Sequence, residues 1–192
     1  MTALYESFKH GLVVSKYWLC DELEKILNYK SNNKYNVYVH GSWHGLLPFI
    51  MITRKPDVYK AFYCYDIDES CKELGEQLCD TWRFEEPKVF HYTQNSNDIL
   101  YNTKSNIVIN CSVDQFSNDL WFDKVNKGDL ICVQCTDYNA NDWETTNIVN
   151  SIDELKNRFK FSKYLYEGTK HIDYRNVGAA LYYKRFMIIG YK

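Results

Sequence analysis

Val37-Tyr38-Val39-His40-Gly41-Ser42-Trp43-His44-Gly45-Leu46-Leu47 reads as a short strand that runs into a glycine-bearing turn and then into an apolar helix. The strand is Val37 to His40, the turn Gly41 to Gly45, and the helix continues through Leu47, Ile50 and Met51. Pro48 falls in the first turn of that helix, where a missing N–H costs nothing. A turn of this kind sets backbone N–H groups and the positive helix end around a ligand at the carboxyl edge of a sheet. Gly41 suits the tight turn and Gly45 a close approach of helix to strand. Trp43 fills the middle slot of the dinucleotide fingerprint, so the GxxxG spacing is weak by itself.

Outward from the turn, strand and helix signals alternate. Ala61 to Tyr65 is a second strand, and Asp66, 21 residues beyond Gly45, stands at its end, where a carboxylate can accept hydrogen bonds from both hydroxyls of a ribose. Asp68 is placed to cap a helix that carries Cys71, Leu74, Leu78 and Trp82 on one face. Lys88 to Thr93 and Asn106 to Asn110 are further strands, Asn118 to Val125 is helical, and Gly128-Asp129 turns the chain into the strand Leu130 to Cys135. Ser151 and Glu154 form a capping-box pattern. Ser162 to Glu167 and Arg185 to Tyr191 then end the chain with no helical pattern between them, so this pair should be antiparallel. Before the turn, Leu19, Leu23, Ile26 and Leu27 recur at helical spacing behind Asp21, and the polar run Lys30 to Lys34 ends that helix. The expected architecture is α/β, three layers around a seven-stranded, mostly parallel sheet with an antiparallel last strand. Residues 1–192 form one domain, with 1–35 as an N-terminal helical layer.

Composition narrows the class. The chain has 192 residues, 45% hydrophobic and 25% charged, which excludes a disordered chain, a collagen and a simple coiled coil. A net charge of -2 argues against attachment to nucleic acid or membrane by bulk electrostatics. The charge is uneven, because Lys156 to Arg185 holds eight cations against Glu167 and Asp173; a solvated basic surface is the first expectation and a surface that meets an anionic acceptor the second. No apolar run approaches the ~18 residues of a bilayer span, and the N-terminus lacks signal-peptide order, so a cytoplasmic location is expected. The seven cysteines show no framework spacing and fit reduced thiols. Cys132 and Cys135 lie within one strand, on opposite faces, which suits neither a redox pair nor zinc. No His/Asp/Glu cluster has metal spacing, and no metal is expected.

The stretch Gly41-Ser42-Trp43-His44-Gly45-Leu46-Leu47, followed by Tyr65-Asp66-Ile67-Asp68, resembles the first two motifs of class I, Rossmann-like S-adenosylmethionine-dependent methyltransferases, especially a small bacteriophage-encoded group. Three further segments are similar to that group: Ser15-Lys16-Tyr17-Trp18-Leu19 near the start, Ile109-Asn110-Cys111-Ser112-Val113-Asp114-Gln115 after the fourth strand, and Tyr183-Lys184-Arg185-Phe186-Met187-Ile188-Ile189-Gly190 at the close. The resemblance implies S-adenosyl-L-methionine as cofactor and, for a phage protein, the host cytoplasm. It further implies that Gly41, Ser42, Trp43 and Gly45 line its methionine part, that Asp66 and Ile67 hold ribose and adenine, and that Asn95 and Ser96 face the adenine edge. Asn110 and Ser112 would lie beside the sulfonium, and Lys16 and Trp18 would close over the cofactor. Val39 stands where many relatives carry an acid. Asp114-Gln115 replaces a Glu-His pair of the phage group, and since Gln cannot take a proton, Asp114 is the candidate catalytic base or acceptor-positioning group.

The reaction so implied is direct in-line methyl transfer to an unidentified acceptor, a small molecule or a macromolecule, with nucleic acid only weakly favoured and no membrane partner. Alternatives are an aminopropyl transferase using the same cofactor, a non-catalytic cofactor-binding module and, against Trp43 and the reversed strand, an NAD-dependent oxidoreductase.

Overall fold

The computed structural model describes residues 8–27, 34–80, 87–101, 106–139, 147–175 and 181–192. Its elements in chain order are α1 (His10–Ile26), β1 (Tyr35–His40), α2 (Leu46–Arg54), β2 (Tyr59–Asp66), α3 (Glu69–Asp80), β3 (Lys88–Thr93), β4 (Asn106–Asn110), α4 (Leu120–Lys124), β5 (Leu130–Thr136), α5 (Ile152–Arg158), β6 (Lys163–Asp173) and β7 (Tyr182–Tyr191). The seven strands form one sheet in the order β3-β2-β1-β4-β5-β7-β6. Strands β1 to β5 pair in parallel, while β7 runs antiparallel to both β5 and β6. The expected reversal of the last strand is therefore present. The chain starts at β1 in the middle and turns outward on each side, so the carboxyl ends of β1 and β4 meet at the switch point where such sheets bind ligands.

Period-2 alternation sends each strand's side chains to two cores. Val37, Val39, Ile107, Ile109 and Cys132 join Leu19 and Leu23 of α1 and Leu47, Ile50 and Met51 of α2 on one face. Tyr38, Val108, Ile131, Val133 and Cys135 join Trp121, Phe122, Leu155 and Phe159 on the other. Cys132 and Cys135 thus occupy opposite faces, as expected of positions three apart in a strand.

Several boundaries differ from the sequence reading. α1 begins at His10 and has Lys9 at its N-cap without a side-chain bond, so Asp21 lies inside the helix. Asp21 instead accepts from Arg54 Nη2 at 2.8 Å, beside Glu24, which takes Arg54 Nε at 2.6 Å, and together they tie the end of α2 to α1. Asp68 does cap α3: its Oδ1 accepts from the Ser70 N–H at 2.9 Å. Trp82, and most of the run Lys30 to Lys34, lie outside the described residues. Ser151 Oγ accepts from Glu154 N–H at 3.1 Å, but Glu154 reaches back to the Asn150 N–H instead of closing on Ser151. Both final strands are longer than the apolar runs suggested, because they go on pairing with each other from Gly168–Met187 to Asp173–Tyr182.

Candidate functional site

The turn after β1 is left-handed at three places: Gly41 has φ +56°, Trp43 +48° and Gly45 +72°. For Trp43 this is an unusual conformation that needs outside support. Asp66 supplies it. One carboxylate oxygen accepts from the Trp43 N–H at 2.9 Å and the other from the Asp68 N–H at 3.1 Å, while the Ser42 N–H bonds Tyr65 O at 3.0 Å. The end of β2 therefore clamps the loop that follows β1. Gly45 is required for a reason the sequence did not give: a Cβ there would stand 2.8 Å from the ring of His91 on β3, in addition to its positive φ. The close neighbour is a histidine of another strand, wedged also against Gly75.

Above this turn lies a chamber of about 240 Å³. Gly41, Ser42 and Trp43 form one wall, Asp66 and Asp68 another, and Lys16, Cys111 and Ser112 a third. Since β1 separates β2 from β4 in the sheet, the carboxylates that end β2 and the Cys111 and Ser112 that follow β4 lie on opposite sides of the turn, and Lys16 is close enough to Cys111 to interact with it. Lys16 is carried here by α1, whose backbone is fixed where Gln134 Nε2 of β5 donates to Ser15 O at 3.0 Å. Burial, with the nearby Arg185 guanidinium adding to it, lowers the Lys16 pKa, and the Cys111 sulfur opposes that. Lys16 is half-buried, and an anion beside it would favour its charged form.

Other candidates sit apart from this chamber's lining. Asn110 is fully buried, with Oδ1 accepting from Ser112 N–H at 3.0 Å and Nδ2 without a partner. Trp18 donates its indole N–H to the Tyr166 hydroxyl at 3.0 Å and packs in the core. Asn95 caps the short 3-10 turn Ser96–Asp98 by accepting from Asn97 N–H, and Ser96 is buried in it. Ile67 is 76% exposed beside Asp66. Leu12, Val39, Leu47, Cys71 and Gln115, none of them expected from the sequence as cofactor contacts, also line this chamber. His40 also lines the chamber but bonds the Tyr101 hydroxyl through Nε2 at 2.6 Å, and burial lowers its pKa to about 3. It is a neutral structural histidine.

A second chamber, of about 200 Å³, adjoins the first and shares Leu12, Ser112 and Gln115 with it. Its floor holds Asp114 and Arg185, and Tyr138, Tyr174 and Tyr183 line its side. Asp114 belongs to the 3-10 turn Val113–Gln115 that follows β4. Only 4% of it is exposed, and Oδ1 has no hydrogen-bond partner among the described residues. Arg185, 7% exposed, donates from Nη2 to Cys111 O, while its Nε is also without a partner. Burial raises the Asp114 pKa against the pull of Arg185 and Arg158.

A carboxyl group whose folded pKa is raised contributes stability below its unfolded pKa and loses it as pH rises through the folded value. Asp114→Asn should accordingly unfold at the same temperature as wild type or higher at pH 7. That gain should fade as the pH falls below about 4. A lower melting temperature at pH 7 would show that the Asp114 charge is well paired.

No protein-family model and no curated sequence matches the chain, so the likeness to known proteins lies in the fold. Magnesium protoporphyrin IX methyltransferase from Synechocystis PCC 6803, solved with bound SAM, superposes with a TM-score of 0.63 at 10% identity over 92% of this chain and 78% of its own. MccD protein does so at 0.67 and 10% over 91% and 96%. M. capricolum TrmK, in complex with S-adenosyl-homocysteine, gives 0.52 at 16% identity over 90% and 68%. The chain has the Rossmann-like α/β fold of class I methyltransferases.

Proposed function

We propose that the chain binds S-adenosylmethionine in the first chamber and transfers its methyl group to an acceptor in the second. The observation that carries this reading is the Asp66 clamp. A carboxylate at the end of β2 holds a left-handed turn at the end of β1, and the turn opens onto a chamber with acid on one side and a half-buried lysine on the other. That donor set fits the cofactor. Asp66 and Asp68 offer acceptors to ribose hydroxyls, Lys16 offers its cation to the methionine carboxylate, and exposed Ile67 gains cover if adenine lies on it. Ser112, in the wall and held by Asn110 behind it, stands toward the sulfonium, exposed Asn95 at the end of β3 would meet an adenine edge that extends past the chamber, with Ser96 buried beneath it, and Trp18 supports the helix that carries Lys16. The fold neighbours crystallised with SAM or S-adenosyl-homocysteine support the same choice.

The cofactor supplies a sulfonium that is itself a strong methyl electrophile. The protein's part is chiefly to align the acceptor with the carbon–sulfur bond, which needs geometry more than acid–base help. The resemblance to the phage group, and with it a site of action in a host cytoplasm, belongs to this reading.

Asp66→Ala should weaken S-adenosylhomocysteine binding by about 2 kcal/mol, roughly thirtyfold, because charge-assisted bonds and the support of Trp43 are lost together. Calorimetry on the folded variant measures this directly. A thermal-shift panel with S-adenosylmethionine, S-adenosylhomocysteine and NAD tests the reading as a whole. Stabilisation by NAD alone would overturn it.

A further inference from the structure

We propose that Gln134 is a positioning residue for the cofactor: its side-chain amide holds α1 where the Lys16 ammonium reaches the first chamber and meets the carboxylate of the ligand's methionine part. This rests on the methyl-transfer reading above. All seven residues of β5, Leu130–Thr136, are buried, and Gln134, with no exposed surface, is the one amide among them. Its Nε2 donates to Ser15 O at 3.0 Å and to the sulfur of Met187, its cross-strand partner on β7, at 3.3 Å. Its Oε1 has no hydrogen-bond partner among the described residues.

Folding alone does not ask for this arrangement. A carbonyl inside a helix already accepts from the N–H four residues on, so Ser15 O would be satisfied without the amide. A buried amide with an orphaned oxygen is unfavourable beside a well-packed apolar side chain, and its neighbours Val133 and Cys135 are apolar and fully buried. Departures from local packing rules gather at functional positions. What this one controls is the helix backbone one residue before Lys16.

The anchoring of α1 changes character at that point. Beyond it, Trp18, Leu19 and Leu23 sit in the core. Before it, Leu12, Val13 and Val14 are half-buried, and the first turn is held by the Gly11 N–H donating to the Tyr174 hydroxyl at 2.5 Å. Lys16 therefore stands where the core-bound half of the helix gives way to a half hung on hydrogen bonds. A lysine stem is flexible, so the place of its Cα decides what the ammonium can reach. In the empty chamber, burial and the Arg185 guanidinium both act against the Lys16 charge, which favours a swing outward. A pinned backbone keeps the ammonium beside Cys111 and Ser112 instead, and removing an ordering cost in this way raises affinity.

The test is calorimetry of wild type, Gln134→Met, Lys16→Met and the double variant with S-adenosylhomocysteine and with 5′-methylthioadenosine, which keeps the adenine, ribose and thioether but lacks the amino acid. Methionine is close to glutamine in length and shape, so Gln134→Met removes the donor and little else; it should melt within a few degrees of wild type. It should weaken S-adenosylhomocysteine about tenfold and leave methylthioadenosine within about twofold. Lys16→Met should do the same. The double variant should fall within about twofold of the weaker single variant, because an ammonium that is absent gains nothing from being placed. Equal loss of both ligands in Gln134→Met, additive losses in the double variant, unchanged S-adenosylhomocysteine affinity in either single variant, or a Gln134→Met chain that does not fold would overturn the proposal and make Gln134 a structural residue. Wild type that binds neither ligand would show first, and would remove the cofactor reading itself.

Discussion

Gly45→Val should destabilise the protein by about 3 kcal/mol and weaken cofactor binding with it. Two separate costs add at this position. A valine held at φ +72° pays for left-handed backbone, about 1–2 kcal/mol, and its Cβ would enter the space of the His91 ring at 2.8 Å, an overpacking cost of about 1–3 kcal/mol. The turn can relieve the clash only by moving away from β3, and the N–H of Trp43 moves with it, off the Asp66 carboxylate. Urea unfolding of wild type, Gly45→Val, His91→Ala and the double variant separates the two costs. In the His91→Ala background the valine should lose the packing part and keep the backbone part. Equal penalties in both backgrounds would mean that the ring is not the obstacle, and an unchanged midpoint would mean that the turn is not left-handed here.

Mild acid should cost the protein about as much stability as any single substitution. Burial lowers the pKa of His40 to about 3 and that of His91 to about 4, while both return to about 6.5 when the chain unfolds. For a histidine with a depressed folded pKa, the unfolded state binds the extra proton, so stability is complete above about pH 6.5 and drains away as the pH falls toward the folded value. Each contributes a slope of up to about 1.4 kcal/mol per pH unit in that window. Between pH 7 and pH 5 the pair removes about 4 kcal/mol, a large part of the 5–15 kcal/mol typical of a domain. Urea midpoints across this range, compared with His40→Gln, should show the slope falling by one proton in the variant. A midpoint flat from pH 7 to pH 5 would mean that neither ring is buried in neutral form.

The residues that could be read from sequence were those whose role is local. Lys88 to Thr93 and Asn106 to Asn110 were bounded correctly because β-branched and aromatic residues there stop abruptly at polar ones. The glycine-bearing turn after β1 and the carboxylate at the end of β2 could be marked from their order in the sequence, whereas the left-handed conformation of Trp43 could not. The first half of α1 did not show. It opens without a capping side chain and carries Val13, Val14 and Tyr17, whose helix propensity is unremarkable, and its position is set by distant contacts, Gly11 N–H to the Tyr174 hydroxyl and Gln134 to Ser15 O. The second chamber was illegible for the same reason. Its walls come from α1, the turn after β4, β5, β7 and the segments beside them, and nothing in the order of Leu12, Tyr138, Tyr174 and Arg185 along the chain announces that they meet. That His91 is the neighbour of Gly45 could be known only from the sheet order.

Cys71 and Cys111 stand in the wall of the first chamber. Burial pushes the Cys71 thiol up to about 12 and raises that of Cys111 as well, although Lys16 and Arg185 beside Cys111 pull it down. A sulfonium methyl donor is a hazard to whatever soft nucleophile lies next to it, and sulfur is the softest one a protein has. Only the thiolate attacks fast, so on the proposed reading the raised thiol pKa at these two positions would keep the sulfur protonated and slow its alkylation. On the proposed reading, the number of turnovers completed before the wall itself is methylated would depend on keeping the Cys111 thiol protonated.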